Sequence, residues 1–299
     1  MGYRLGSREG TPRRIWQRGF MPGLRDALRG VLCLLAISHV VVADEQPINV
    51  ALIMDDMGNS LELGERALRL RGDLTYAFLP HTPYAIQLAE IAHSMHREIL
   101  LHLPMEPRDT TAQDRGMLRK GMDEAQFRRT LLSNIAAIPH VSGVNNHRGS
   151  LLTADATTMQ WVMEGLSAFG LFFIDSRTTE NSIAARVAED NGIPTATRNV
   201  FLDHVVEPIA IRRQFGKLVH IARKRGSAIG IAHPHPETLR VLARNLPKLK
   251  RYGIRLVPVS RLTKAPPRRK LWHASSSPSL KVAKNSKLLP SSICCAEPE

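Results

Sequence analysis

Between residues 48 and 260 the chain alternates short apolar runs with amphipathic helical windows, and this alternation most restricts its possible folds. The predicted strands cover residues 49–54, 74–79, 98–103, 141–145, 171–174, 198–202, 228–232 and 255–259. The predicted helices cover residues 60–71, 84–95, 123–137, 155–169, 181–191, 208–225 and 237–252. Strands and helices in strict alternation predict a mostly parallel sheet covered by helices, either an open doubly wound sheet or a β/α barrel.

Glycines and capping residues mark the predicted helix boundaries. Glycines stand just before the next apolar run at Gly72, Gly170, Gly192, Gly226 and Gly253. Glycine adopts the left-handed conformation at the end of a helix without steric cost. The predicted N-caps are Ser60, Asp123, Asp155 and Asn181. No linker interrupts this pattern, so residues 44–263 are predicted to form one domain.

The first 43 residues are predicted to be a secretory signal peptide with a basic leading region. They contain seven arginines and then an apolar run, Val31–Ala43, which ends in small residues and is too short to span a bilayer comfortably. We therefore expect cleavage and export to the periplasm, with no transmembrane span left afterwards. An uncleaved N-terminal anchor or a start codon placed too early would give a similar pattern.

The net charge of +14 is concentrated at the two ends of the chain. Residues 1–43 and residues 264–299 carry +5 each, and the part between them carries +4. The Pro/Ser/Lys-rich segment 264–299 lacks apolar periodicity and is predicted to be a disordered tail. A polyanion-binding arm is the alternative, but the modest charge of the central part argues against a nucleic-acid partner.

Cysteines are confined to the two ends, at Cys33, Cys294 and Cys295. Residues 44–263 therefore have no thiolate available for a metal site, a catalytic nucleophile or a disulfide. A Gly-rich phosphate loop with lysine and a Gly-x-Ser-x-Gly nucleophile motif are also missing from the sequence. These absences exclude several common classes of enzyme.

Seven successive predicted strands end in Asp or His. The side chains are Asp55 with Asp56, then His81, His102, His147, Asp175, Asp203 with His204, and His233 with His235. Because the carboxyl ends of parallel strands meet at one rim, we expect a polar pocket there. A simple turn with an N-cap would explain the Asp pair equally well if it stood alone. Adjacent residues on a strand point to opposite sides, which predicts different roles for Asp55 and Asp56.

Histidine and carboxylate ligands without cysteine suit zinc or a related divalent ion. Such an ion acidifies water and polarises a carbonyl group, while a carboxylate accepts a proton and a histidine protonates the leaving group. This combination of residues is typical of amide or ester hydrolysis.

Six blocks of sequence, in this order, resemble the divergent polysaccharide deacetylase family, exported bacterial relatives of chitin and peptidoglycan deacetylases. The blocks are 53–58, 100–107, 143–150, 172–178, 198–203 and 228–238. The resemblance implies a distorted β/α barrel of seven to eight mostly parallel strands. It also implies metal-dependent deacetylation of an acetylated cell-envelope glycan, and it indicates no particular protein partner. A glycan-binding or cell-wall-partner-binding module on the same fold, without turnover, is the alternative.

The resemblance also assigns roles to the Asp pair and to the metal ligands. Asp55 would be the catalytic base and Asp56 a metal ligand. The related enzymes take two further histidine ligands from one motif, but the residue four after His102 is Glu106. His147 is the predicted replacement, which makes the expected ligand set Asp56, His102 and His147, with zinc as the expected ion.

The late histidine motif of the related enzymes, whose histidine protonates the leaving amine, aligns best with His233. His235 is the competing choice, and a His-Pro-His-Pro segment that only forms a rigid strand exit is a further alternative. Asp175 and Arg177 would correspond to the carboxylate and the arginine that tune the base and the acid.

Overall fold

The computed structural model describes residues 47–109 and 113–264. The predicted signal peptide, 1–43, and all of the predicted tail 264–299 except Lys264 lie outside the described residues. The described strands are β1 Ile48–Met57, β2 Thr75–Phe78, β3 Glu98–Met105, β4 Gly143–Arg148, β5 Phe172–Asp175, β6 Thr195–Thr197, β7 Val200–Phe201, β8 Ser227–Ala232 and β9 Ile254–Leu256. The α-helices are α1 Leu61–Leu68, α2 Ala85–Ser94, α3 Glu124–Ala136, α4 Ala156–Ala168, α5 Ala184–Asp190, α6 Pro208–Arg225 and α7 Pro236–Asn245. Within these described ranges, no helix combines the length and the apolar character needed to cross a membrane.

The nine described strands form one parallel sheet. Its order is β6-β5-β4-β3-β2-β1-β8-β7, and β9 pairs with the first residues of β1. The short strands at the two ends of this order are joined through Arg198 and Asn199. The Arg198 amide donates to the carbonyl of Asp175, the last residue of β5, and the Asn199 amide donates to the Ile229 carbonyl on β8. This segment bridges the two edges and curls the sheet into a β/α half-barrel, which confirms the predicted barrel and excludes the open sheet.

Apolar side chains fill two layers, one on each side of the sheet. The larger layer lies between the sheet and the helices and includes Tyr76, Phe78, Phe127 and Phe173. The smaller layer fills the inside of the barrel with Ala51, Ile53, Ala77, Leu100, Phe172, Ile174, Ile229, Ile231 and Val259. Burial on both faces explains why the strands appear in the sequence as nearly continuous apolar runs.

Three of the four predicted N-caps are confirmed. Ser60 accepts a hydrogen bond from the Leu63 amide, and Asp123 and Asp155 cap α3 and α4 in the same way. The prediction for Asn181 is wrong, since α5 begins at Ala184 with Ile183 as its N-cap.

Two predicted elements are shorter than their apolar pattern indicates. The strand predicted at 198–202 is only Val200–Phe201, and a separate short strand, Thr195–Thr197, precedes it, because the chain leaves β5 and joins β8 between the two. The helix predicted at 237–252 ends at Asn245, and Leu246–Tyr252 is a 3-10 helix. Pro247 lacks the amide hydrogen that an α-helix would need there.

Candidate metal centre and acid–base site

The inward-facing side chains of the strands change from apolar to polar at the carboxyl ends. Side chains alternate with a period of two, so Ala51 and Ile53 are followed on the same face by Asp55. In the same way Leu100 is followed by His102, and Ile231 by His233. An apolar layer thus fills the barrel, and a layer of carboxylates and histidines covers its carboxyl end.

A β-bulge places Asp55 and Asp56 at this end. Met54 is paired with Tyr76 but Met57 is paired with Phe78, so β1 has one residue more than β2 over this stretch. Asp56 absorbs the extra residue in a left-handed conformation with φ of 55°. A bulge re-aims side chains, and as a result both carboxylates approach His102. Asp55 Oδ2 and Asp56 Oδ1 lie 3.6 Å and 3.2 Å from His102 Nε2.

Three of the predicted ligand side chains lie together at the rim. Asp56 Oδ1 is 3.2 Å from His102 Nε2 and 3.1 Å from His147 Nδ1, and the two nitrogens are 3.1 Å apart. These residues form one of the groups in the described chain that could hold a metal ion. Glu106 is used elsewhere, since its Oε2 accepts a hydrogen bond from the Lys120 amide at 2.9 Å. Glu106 therefore fastens the segment after β3.

A chain of hydrogen bonds connects the histidines to the other carboxylate. The Arg148 Nε–H donates to His147 Nε2 at 3.2 Å, and His147 Nδ1 faces His102 Nε2. His102 Nδ1 lies 2.9 Å from Asn145 Oδ1, and Asn145 Nδ2 donates to Asp55 Oδ1 at 2.8 Å. Asn145 is fully buried, so it holds His102 and Asp55 in fixed orientations.

Two buried carboxylate oxygens beside His147 have no hydrogen-bond partner among the described residues. Asp56 Oδ1 lies 3.1 Å from Nδ1, and Asp114 Oδ2 lies 3.4 Å from Nε2. His147 Nε2 accepts from Arg148 in one tautomer of the ring. In the other tautomer Nε2 carries the proton and faces Asp114, and Nδ1 then presents a lone pair next to Asp56. Metal-bound histidines characteristically donate their other N–H to a carboxylate or carbonyl group. The side chains therefore fit a divalent cation held by Asp56, His102 and His147.

The electrostatics of the cluster also favour a cation. Burial lowers the pKa of His102, but Asp55 and Asp56 outweigh it, so this pKa is raised. Burial raises the pKa of Asp56, but the close approach of the His102 and His147 rings outweighs it and holds this pKa well below its usual range. Two carboxylates therefore favour positive charge at this position.

Asp55 differs from Asp56 in its environment. It is 2% exposed, and burial raises the pKa of its carboxyl group despite the opposing effects of His102 and His233. A raised carboxyl pKa is typical of a residue that accepts and releases protons near neutral pH. The two adjacent aspartates are thus electrostatically distinct.

His233 is held by a buried carboxylate, that of Asp203. His233 Nδ1 lies 3.0 Å from Asp203 Oδ1, and the His233 amide donates to Oδ2 at 2.7 Å. Thr238 donates to the same Oδ2 at 2.9 Å. Burial lowers the pKa of His233, but Asp203, Asp55 and Asp56 outweigh it and raise this pKa to about 9. With its Nε2 3.8 Å from Asp56 Oδ2, His233 presents a proton donor at the rim.

His235, the competing choice for the general acid, lies close to His233 but is more exposed. His235 is exposed and is the N-cap residue of α7, with its ring centroid 5.9 Å from that of His233. It forms a second three-residue group with Asp203 and His233. The carboxylate in this second group is that of Asp203, and it already accepts hydrogen bonds from His233 and Thr238.

Asp175 and Arg177 lie at the end of β5 and in the turn that follows it. Asp175 accepts hydrogen bonds from the Arg177 amide at 2.7 Å and from the Ser182 hydroxyl at 2.8 Å, so it orders the turn after β5. Arg198 interacts electrostatically with Asp175 and with Asp55. The carboxylate bonded to His233 is Asp203, which follows β7, the neighbour of β8. The tuning role of Asp175 and Arg177 stays a prediction.

Sequence reasoning placed Asp203 at the rim without giving it a role, and it did not name Asn145 or Asp114 as members of the site. The first two follow or lie in strands whose ends were recognised as polar, so position alone could have nominated them. Asp114 comes from an irregular segment, and no sequence pattern identifies it.

A cleft of about 210 Å³ opens beside Asp56 and His233. Asp56, Gly58, Ser60, His233 and His235 contribute to its walls. Gly58 has φ of 118°, and a Cβ atom there would lie 2.1 Å from the Thr82 hydroxyl oxygen. Only glycine fits this position, which keeps the chain closely packed below the cleft.

The fold and the rim together define a class of protein, a parallel β/α barrel with a candidate His–carboxylate metal centre at the carboxyl ends of its strands. The chain belongs to the divergent polysaccharide deacetylase family, whose sequence pattern matches residues 52–263.

Bacterial proteins are similar to this chain over most of its length. The uncharacterized protein YibQ of Escherichia coli is 36% identical over 236 residues, which cover 78% of this chain and 72% of that protein. An uncharacterized protein of Haemophilus influenzae is 37% identical over 202 residues, covering 67% and 72%. The crystal structure of the uncharacterized protein ATU2773 from Agrobacterium tumefaciens matches with a TM-score of 0.70 and 26% identity, covering 74% of this chain and 91% of that one.

Proposed function

We propose that this protein is a metal-dependent hydrolase that removes acetyl groups from a cell-envelope polysaccharide. Membership of the divergent polysaccharide deacetylase family supports the polysaccharide as the substrate class. The predicted signal peptide supports the periplasm as the location. The single observation that carries the proposed chemistry is the convergence of Asp56, His102 and His147 between Asp55 and His233.

Asp56, His102 and His147 would hold the ion, and zinc is the proposed metal because His and carboxylate ligands suit it. When bound, such an ion supplies positive charge that polarises a carbonyl oxygen and acidifies water. The protein contributes by fixing the ligand orientations. Asn145 holds the His102 ring, and Asp114 lies ready to accept the His147 Nε2 proton.

Asp55 is the proposed general base. Its carboxylate is buried, faces the same histidine as the proposed metal ligand, and has its pKa raised by burial. Asn145 donates to Oδ1, which leaves Oδ2 facing the centre of the site. A base in this position would take a proton from water as that water attacks the acetyl carbonyl carbon.

His233 is the proposed general acid. It is protonated at neutral pH because Asp203 and the two site aspartates raise its pKa to about 9. Its Nδ1 is used on Asp203, so Nε2 remains to protonate the leaving amine or alcohol of the sugar. The base and the acid therefore come from β1 and β8, which are neighbours in the sheet.

The direct test measures acetate release by the purified full-length protein from acetylated chitooligosaccharides. We expect a chelator to abolish the release and added zinc to restore it. Asp55→Asn should reduce the rate at least a hundredfold, since general base catalysis contributes about 10²–10⁴-fold. Asp73→Asn is the matched control, because Asp73 is exposed and precedes β2 at the opposite end of the barrel.

Two outcomes would contradict the proposal in different ways. Acetate release that is indifferent to both chelator and zinc would exclude the metal mechanism. Glycan binding without acetate release, in both the wild type and Asp55→Asn, would support a binding module in place of an enzyme.

A further inference from the structure

A second cavity, of about 530 Å³, lies beside the candidate metal centre and is lined mainly by polar and basic residues. We infer that it is a subsite for an acidic sugar, which makes the substrate of the proposed deacetylase an anionic polysaccharide with a carboxylate next to the acetylated residue. The inference rests on the proposed function for the acetyl group, but the binding of the acidic sugar can be measured separately.

The cavity adjoins the metal centre through one residue. Asp114 contributes to its wall and lies 3.4 Å from His147 Nε2. The cleft lined by Asp56 and His233 adjoins the same ligand cluster through Asp56. The proposed reaction centre is thus flanked by two spaces, as expected for a chain of sugars that extends past the reacting residue.

The floor of the cavity is built from buried, fully bonded polar groups. Asn134 on α3 is 0% exposed, its Nδ2 donates to the Gly116 carbonyl at 2.7 Å, and its Oδ1 lies 3.0 Å from His81 Nε2. A Cβ atom at Gly116 would lie 2.1 Å from Asn134 Oδ1. Asn134 therefore ties α3 to the segment after β2 and to the segment after β3.

Positive charge dominates the walls of this cavity. Arg115, Arg119 and Arg129 line it, against one carboxylate, Asp114. Asp114 faces His147 and Arg148, with its Oδ2 3.2 Å from the Arg148 Nε, so its charge is balanced outside the cavity. Arg119 lies 3.7 Å from Glu106. The cavity thus retains a net positive field that favours an anion.

Two of these guanidinium groups are available for a ligand. Arg115 and Arg129 are exposed, and neither has a carboxylate partner among residues 47–109 and 113–264. The neighbouring Arg128 differs, because it pairs with Glu124 and with Glu164 on α4. The two adjacent arginines on α3 therefore differ: the charge of Arg128 is neutralised by glutamates, whereas Arg129 lines the cavity without a carboxylate partner among the described residues. Arginine binds carboxylates in a bidentate manner, which matches a uronic acid or a similar sugar acid.

The test compares two probes that differ only in charge. They are the hyaluronan tetrasaccharide, in which N-acetylglucosamine alternates with glucuronic acid, and its carboxyl-reduced form. Binding to full-length Asp55→Asn protein is measured by calorimetry at low salt and again at about 0.5 M salt, where the Debye length is only a few ångströms. We expect the acidic probe to bind at least about fivefold more tightly at low salt, corresponding to one good arginine–carboxylate contact. Most of this preference should be lost at high salt.

Arginine variants test whether the preference for the acidic probe comes from this cavity. Arg129→Ala and Arg115→Ala should each reduce the preference for the acidic probe and leave the affinity for the reduced probe unchanged, whereas Arg128→Ala should retain the preference. Equal binding of both probes by the parent protein, or an undiminished preference in both cavity variants, would overturn the subsite. If the subsite exists but the acidic probe releases no acetate from the wild-type protein, the subsite stands and the deacetylase proposal fails. If both probes release acetate at equal efficiency and Arg129→Ala has no effect, the deacetylase proposal stands and the subsite fails.

Discussion

The Nδ1 nitrogen of His147 lies 3.1 Å from the Oδ1 oxygen of Asp56, although β4 and β1 are separated in the sheet by β3 and β2. The curl of the sheet brings these two strand ends together across the mouth of the barrel. His102, at the end of the intervening β3, completes the triangle. The candidate metal centre is therefore a product of sheet curvature as much as of residue type.

Removal of either histidine ligand should abolish metal binding. His102→Ala and His147→Ala each leave two ligands where a stable catalytic zinc site uses three. We expect metal analysis of the purified variants to show loss of the bound ion. His93→Ala is the control, because His93 stacks on His140, away from the rim, and this variant should retain the metal. Full metal content in His147→Ala would remove His147 from the ligand set.

Asp114 should strengthen metal binding without touching the ion. In Asp114→Asn a neutral amide replaces the carboxylate that would accept the His147 Nε2 proton. Loss of such a partner typically lowers metal affinity about 10–100-fold. Competition with a chromogenic chelator measures the affinity. Asp109→Asn is the control, since Asp109, like Asp114, follows β3 and its carboxylate is exposed. Unchanged affinity in Asp114→Asn would show that the Asp114 carboxylate is not needed to orient His147.

The pH dependence should distinguish Asp203 from Asp175 as the partner of His233. A general acid must be protonated, so activity is lost as pH rises through its pKa. Asp203 helps to raise the pKa of His233 to about 9, and Asp203→Asn should therefore move the alkaline limb of the kcat/KM profile to lower pH. Asp175→Asn should leave the position of this limb unchanged, even if it lowers the rate. A shift in Asp175→Asn alone would reverse the assignment.

The N-cap of α4 should make a measurable contribution to stability. Asp155 Oδ1 accepts from the Thr158 amide at 3.0 Å, and Oδ2 lies 2.8 Å from Lys120 Nζ. Asp155→Ala should lower the free energy of unfolding by about 1 kcal/mol, the usual effect of losing a cap. Lys120→Met should have a smaller effect, because it leaves the cap in place. Urea unfolding followed by circular dichroism measures both, and no change in Asp155→Ala would contradict the capping role.

The contribution of Asp155 should depend on pH in a defined direction. Its hydrogen bond to Lys120 lowers the pKa of its carboxyl group below 3.8, more than partial burial raises it. A group with a lowered folded-state pKa stabilises the protein above its unfolded pKa and loses this effect as pH falls through the folded value. The difference between wild type and Asp155→Ala should therefore be complete near neutral pH and become smaller in acid.

Local sequence patterns determined the type of most elements. Short apolar runs predicted the strands, and capping chemistry identified the starts of three helices. These features depend on residues two to four positions apart in the chain, so they can be predicted directly from the sequence. The exceptions also had local causes that the apolar pattern did not weigh, such as Pro247 in the predicted helix 237–252.

The sequence by itself thus determined the barrel class, the family and the rim at which the polar side chains gather. Only the tertiary structure decided which of them touch. Asn145 bonds to Asp55 across 90 residues of chain, and Asp203 to His233 across 30. Asp114 reaches His147 from an irregular segment. Such partners depend on strand order, on the curl of the sheet and on the bulge at Asp56, because these set the distances between side chains that are remote in the sequence.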